Sequence, residues 1–258
     1  MSDYRQRFYL KYVSTFKNVQ GNTEQGSSHS FRAYCDFKYA PYFRELKPED
    51  AILEAGCGSG EMLEFLSGKG FRNLHGIDVS EEQIMIAVEK RLPAQQADVF
   101  AFLEHRRETF RAIVARDFVE HFTKEEVLRL FRLFFQALDG GGMLLLQTPN
   151  GQGLFSSQVI YSDLTHCTIF TPESLGQVLR LSGFEDIRFG ETGPVPRNWN
   201  GRIRLLLWNG IKRAANFIRL VEAGKRQNIW TENVICVCRK PTPSGTLGAA
   251  QAEVTTIS

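Results

Sequence analysis

Two short stretches carry side chains able to move a proton. "RDFVEHF" holds Asp117, Glu120 and His121, and "YSDLTHCTIFTPESL" holds Tyr161, Asp163, Thr165 and His166. A histidine near a carboxylate can deprotonate a hydroxyl close to neutral pH, the carboxylate fixing the tautomer of the ring. On that reading His166 is a candidate base, Asp163 holds its tautomer or touches the acceptor, and His121 is a second candidate. The alternatives are a loop stapled by Asp163 and His166, and a His121 that only packs. A third stretch, "ILEAGCGSGEML", binds rather than reacts. Its glycines follow an apolar run in the order Glu54-x-Gly56-x-Gly58-x-Gly60. The missing side chains at Gly56 and Gly58 let the backbone come close to a ligand. A dinucleotide fingerprint would need glycine where Glu61 stands, and a phosphate-binding loop would end in Gly-Lys-Ser/Thr, so neither fits. Asp78 follows Gly58 by 20 residues, the spacing at which an acid closing the second strand reaches ribose hydroxyls.

These residues need a scaffold, and the apolar pattern supplies one. Between residues 50 and 190 short apolar runs alternate with amphipathic stretches. "AILEAG", "LHGIDV", a short run at 94–98, "FRAIVAR", "MLLLQTP" and "FEDIRFG" read as strands. The stretches between them read as helices, with Ser80 expected to cap one and Thr123 to open another in a capping pattern. The alternation predicts an α/β fold, a Rossmann-like, doubly wound, seven-stranded, mostly parallel sheet closed by "NVICVCRK". The predicted organisation is a helical N-terminal cap over 1–49, a core over 50–196 and 229–240, a basic helical insertion over 197–228, and a flexible tail over 241–258.

In register, four motifs resemble class I S-adenosylmethionine-dependent methyltransferases over roughly residues 50 to 190. "ILEAGCGSGEMLEFL" is similar to their first motif, "GIDVS" to the second, "QADVF" to the third and "ARDFVEHF" to the motif after the fourth strand. "LDGGGMLLLQTPN" is similar to the fifth strand with its glycine turn. The resemblance implies S-adenosyl-L-methionine as cofactor. Glu54, Gly56, Cys57, Gly58 and Gly60 would meet its amino-acid end, with Glu54 either bracing the loop or facing that end. Asp78 and Val79 would lie at the ribose, Asp98 and Val99 at the adenine, and Asp117 beside the cofactor. The Asp-x-Thr-His-x-x-x-Phe-Thr pattern, after a strand ending in Pro149 and Asn150, resembles a subgroup from bacterial polysaccharide and lipopolysaccharide gene sets. It implies O-methylation of a sugar hydroxyl. The alternatives are methylation of a small aromatic or quinone-type metabolite, with the aromatic N-terminal cap as pocket, and a non-catalytic cofactor-binding assembly protein. For Arg116 the expectation is a surface salt bridge, the alternative a carboxylate on an acidic sugar.

The remaining composition bounds partners and compartment. The chain has 258 residues and a formal charge of +2, but that charge is unevenly placed. Residues 197–240 carry ten Lys or Arg against Glu222 and Glu232, on an otherwise acidic body. Helical spacing groups Ile203, Leu206, Leu207, Ile211, Ala214, Phe217, Ile218 and Val221 on one side, predicting a basic amphipathic pair of helices. Such a pair suits a peripheral membrane anchor, a lid or a homodimer surface. A nucleic-acid partner is not expected, because the basic residues are interleaved with large aliphatics. Five scattered cysteines without zinc spacing, an N-terminus lacking an apolar signal region and no long apolar run predict reduced thiols and a cytoplasmic protein, at the inner face of the membrane if the anchor reading holds. No metal site is expected.

Overall fold

The computed structural model describes residues 3–11 and 24–242. Seven strands form one sheet: β1 (Ile52–Ala55), β2 (Leu74–Asp78), β3 (Ala94–Gln96), β4 (Phe110–Arg116), β5 (Leu138–Pro149), β6 (Glu185–Glu191) and β7 (Asn233–Arg239), in the order 3-2-1-4-5-7-6. The pairs β2–β3, β1–β2, β1–β4 and β4–β5 are parallel, whereas β7 runs antiparallel between β5 and β6. The strand order reverses between β1 and β4, which opens a crevice at their carboxyl ends.

The central strands read as continuous apolar runs because both their faces are buried. Leu53, Ala55, Ile113, Ala115, Leu144, Leu146, Cys236 and Cys238 face one core; Ile52, Ala112, Val114, Leu145, Ile235 and Val237 face the other. Cys236 and Cys238 therefore act as small buried residues on one face of β7.

Nine helices occur among the described residues. α3 (Glu61–Gly68), α4 (Glu81–Glu89), α5 (Val99–Leu103), α6 (Lys124–Ala137) and α8 (Pro172–Leu181) connect or flank the strands. Thr123 and Thr171 form reciprocal capping boxes with Glu126 and Ser174. Ser80 stands at the N-cap of α4 but makes no side-chain cap bond, and its hydroxyl is buried without a partner. The helix-start amide there is served by Asp78, whose Oδ1 accepts from Ser80 N at 2.8 Å.

Three elements lie outside the sheet layers. α1 (Asp3–Leu10) and α2 (Glu24–Lys38) lie against the ligand edge, and α7 (Ser157–Ser162) follows β5. The basic segment holds one 25-residue helix, α9 (Trp199–Ala223), rather than the expected pair. It starts on the Asn198 side chain and ends at Gly224, in the left-handed region. Residues 243–258, the greater part of the expected tail, lie outside the described residues.

Candidate active site

The turn after β1 is set by backbone geometry that only glycine adopts freely. Gly56 and Gly58 have φ of 73° and 52°, and a Cβ on Gly56 would fall 2.3 Å from the Phe118 ring. Asp78, at the end of β2, accepts a hydrogen bond from Gly58 N through Oδ2 at 2.9 Å and so ties the loop to the next strand. Asp98 caps α5, its Oδ1 accepting from Phe100 N and Ala101 N.

These elements enclose a cavity of about 340 Å³ over β1, β2 and β4. Glu54, Gly56, Cys57, Gly58, Asp78, Val79, Asp98, Val99, Asp117 and His121 line it, together with Ser59 and Glu61. Of the expected cofactor residues only Gly60 does not; it is the left-handed N-cap of α3. Asp163 and His166 do not line it either.

At one end of the cavity two buried polar atoms lack partners, Glu54 Oε2 and Arg116 Nε. Arg116 does not make the expected surface salt bridge. Its guanidinium lies over the Phe31 ring, 4.6 Å from the centroid, and among the described residues it forms no ion pair. Burial pushes the Glu54 carboxyl up to about 8, the Arg116 charge opposing the shift only in part. The free Glu54 Oε2 and the free Arg116 Nε could hold a zwitterionic amino acid, ammonium on the first and carboxylate on the second. That is the charge pattern of the methionine end of S-adenosyl-L-methionine.

The proton-handling residues converge on His121. The Thr165 hydroxyl donates to Asp163 Oδ1 at 2.6 Å, and Thr165 Oγ1 lies 2.8 Å from His121 Nδ1. With the Thr165 proton committed to Asp163, the shared proton on the second bond belongs to Nδ1, which leaves Nε2 of a neutral ring as the lone-pair nitrogen. Burial, then the neighbouring His166 charge, pulls the His121 pKa down to about 4, so the ring is neutral at pH 7. Asp163 thus orients His121 through Thr165 and does not hold the tautomer of His166, whose Nδ1 bonds the Ile160 carbonyl oxygen at 2.8 Å. The His166 ring stands against His121 at a centroid distance of 4.9 Å. Glu120, His121 and His166 each bring one potential ligand atom within 4.8 Å of the others and could hold a cation, a grouping not evident from sequence spacing.

Two residues missed by the sequence reading close the cavity. Arg5 of α1 pairs with Glu126 of α6 at 2.8 Å and donates to the His121 carbonyl oxygen at 2.8 Å. Tyr9 sets its ring edge-on to His121 at 6.0 Å and its hydroxyl on Thr165. Their only signal in the sequence was the Tyr- and Phe-rich N-terminus.

Arg116 also borders a second, wider cleft of about 1160 Å³. Aromatic rings (Phe31, Tyr34, Tyr39, Phe155, Trp208, Trp230) and hydrogen-bonding groups (Gln147, Arg197, Asn198, Asn200, Arg204, Asn233) share its lining. Gln147 is pinned between the sites: Tyr34 and Tyr39 donate to its Oε1, and its Nε2 donates to both Asp117 oxygens at 3.0 Å. Asp117 itself has φ of 48°, a left-handed conformation stored at the wall between the two spaces.

Comparison with known proteins agrees with this architecture. A family model described as "Methyltransferase domain" matches residues 27–188. Phosphoethanolamine N-methyltransferase 3 of Arabidopsis thaliana is 25% identical over 196 residues, covering 71% of this chain and 37% of that protein. The mitochondrial ubiquinone biosynthesis O-methyltransferase of Homo sapiens is 31% identical over 152 residues, covering 51% and 40%. The chain therefore matches well under half the length of these relatives. Among solved structures, a SAM-dependent methyltransferase from Archaeoglobus fulgidus superposes with a TM-score of 0.65 at 21% identity, covering 90% of this chain and all of that one. Phosphoethanolamine N-methyltransferase 2 of Haemonchus contortus, in complex with S-adenosyl-L-methionine, gives 0.57 at 16% identity, covering 91% and 60%.

Proposed function

We propose that this chain, which belongs to the family of S-adenosyl-L-methionine-dependent methyltransferases, moves a methyl group onto a hydroxyl of a polyhydroxylated, glycan-type acceptor whose body lies in the wider cleft and whose reacting hydroxyl reaches past Arg116, which lines both spaces, to His121 in the cofactor cavity. The observation that carries this reading is the Asp163–Thr165–His121 chain, which presents a neutral imidazole at the cofactor cavity. The cofactor supplies an electrophilic methyl on a sulfonium; the protein has to align an acceptor oxygen in line with it and take the proton. His121 is the base. Asp163, acting through Thr165, orients the ring and stabilises it once protonated. His166 packs behind His121 as its neighbour. Glu54 and Arg116 hold the amino-acid end, Asp78 the ribose hydroxyls, and Asp98, through the oxygen not used to cap α5, the adenine amino group, with Val79 and Val99 beside the nucleoside.

The mixed lining of the cleft supports this acceptor class. Aromatic faces next to amides and guanidinium groups suit a sugar, whose apolar faces stack and whose hydroxyls need partners. The likeness of "YSDLTH" to the bacterial polysaccharide subgroup points the same way. A second reading, a phenolic or quinone-type metabolite, is favoured by the aromatic share of the same cleft and by the ubiquinone-pathway relative. Offering the enzyme labelled methyl donor with glycan intermediates and catechol-type acceptors side by side separates the two. Label on a glycan is expected; label confined to the catechol replaces the first reading with the second.

Two further results are expected. His121 works as a base only when neutral, so activity is lost as pH falls through its folded-state pKa. Because that pKa is depressed, kcat/KM for the acceptor, measured at saturating cofactor so that Glu54 is already ionised, should stay level down to about pH 5 rather than fall near the ordinary histidine value of about 6.5. An acid limb near 6.5 that disappears in His121→Gln would contradict the depressed value. The second result concerns Glu54. Near neutral pH its raised pKa keeps it largely protonated in the free protein, and a cofactor ammonium beside it favours the ionised form. Cofactor binding at pH 7 should therefore release up to about one proton, measured by calorimetry in buffers of different ionisation enthalpy. Glu54→Gln should remove the buffer dependence; binding heats independent of buffer in the native protein would count against the assignment.

A further inference from the structure

α9 carries its apolar face on the wrong side for an ordinary surface helix. A helix lying on a globular domain turns its apolar stripe inward. Here the side chains toward the body are mixed: Lys212 pairs with Glu191, Asn216 accepts from Gln227 N, and Trp208 borders the wide cleft. Of 25 residues only Gly201 is fully buried. Trp199, Leu206, Leu207, Phe217, Ile218 and Val221 point to solvent instead, with Leu206 72%, Phe217 67% and Val221 73% exposed. A continuous exposed apolar patch of this kind marks a contact surface.

Charge selects the partner. Arg202, Arg204, Arg213, Lys225 and Arg226 are exposed on and just beyond α9, and Glu222 is the one acidic residue from 199 to 226. We propose that α9 lies flat on a membrane leaflet containing anionic lipids, its apolar stripe set into the headgroup boundary and its basic residues against the lipid charges. Trp199 at the start of the stripe suits that interface. A second copy of the chain fits less well, since a two-fold pairing of the stripes sets basic flank against basic flank. Among the described residues no helix is long and apolar enough to cross a membrane, so contact of this kind lies in the surface plane. Gly201, Arg204 and Trp208 belong both to α9 and to the cleft lining, so docking sets the cleft beside the lipid surface.

The test is co-sedimentation of the full chain with phosphatidylcholine vesicles, with and without phosphatidylglycerol. Binding is expected only to the anionic vesicles and should weaken at high salt. Leu206→Ser with Phe217→Ser, and separately Arg202→Glu with Arg213→Glu, should each lower vesicle affinity roughly tenfold or more. Circular dichroism and cofactor affinity should stay unchanged, because none of these side chains is buried or borders the cofactor cavity. Absence of binding by the native chain, or binding unaltered in both variants, overturns the proposal. So does a dimer by sedimentation velocity that the Leu206→Ser, Phe217→Ser variant converts to monomer, which would assign the stripe to a second copy.

Discussion

Asp78→Ala should raise the cofactor dissociation constant by about two to four orders of magnitude. The carboxylate already accepts backbone hydrogen bonds from Gly58 and Ser80 and lines the cavity where the ribose would lie. A hydrogen bond to a charged group contributes about 1.5–3 kcal/mol, and two ribose hydroxyls would lose their acceptor together. The glycine loop would also lose its tether to β2, which adds to the effect and cannot lessen it. Titration calorimetry with S-adenosyl-L-methionine reads the change, and a thermal melt of the variant shows whether the fold has survived. A folded variant with unchanged affinity removes the ribose assignment.

His121→Ala should lower kcat by about 10²–10⁴, the range contributed by a positioned general base, with a much smaller change in cofactor affinity. Its neighbours make a graded series. Asp163→Asn keeps the shape but weakens the orientation of His121 and the stabilisation of its protonated form, so an intermediate loss is expected together with a displaced acid limb. His166→Ala should cost less than either, because the ring bonds a backbone carbonyl oxygen and does not line the cofactor cavity. If His166→Ala collapses turnover while His121→Ala leaves it near the native rate, the base has been placed on the wrong ring. Single-turnover measurements keep chemistry apart from product release in this comparison.

Much of the scaffold was legible because local pattern and tertiary role coincide there. Buried parallel strands must be apolar on both faces, and "FRAIVAR" and "MLLLQTP" are. The glycine turn was legible because positive φ and close approach both demand glycine at Gly56 and Gly58. What could not be read is what depends on three-dimensional meeting. His121 and Thr165 are 44 residues apart in sequence, and nothing local says that Asp163 reaches the first histidine rather than the nearer His166. Arg5 and Tyr9 lie more than 100 residues from the groups they cover. Helical spacing did identify the apolar stripe of α9. Spacing, however, gives a face and no direction, and the direction is what makes the helix informative. Arg116 at a strand end suggested a surface ion pair, yet Phe31 from α2 covers it.

The central claim is that a neutral His121 takes the proton from a hydroxyl while its oxygen receives the methyl. The most direct test is a reaction with deuterated-methyl cofactor, followed by mass spectrometry and NMR of the product to locate the new bond. A methyl ether formed by the native enzyme, and lost in His121→Ala at preserved cofactor affinity, is the predicted result. An N-methyl product, or ether formation undiminished without His121, would contradict it.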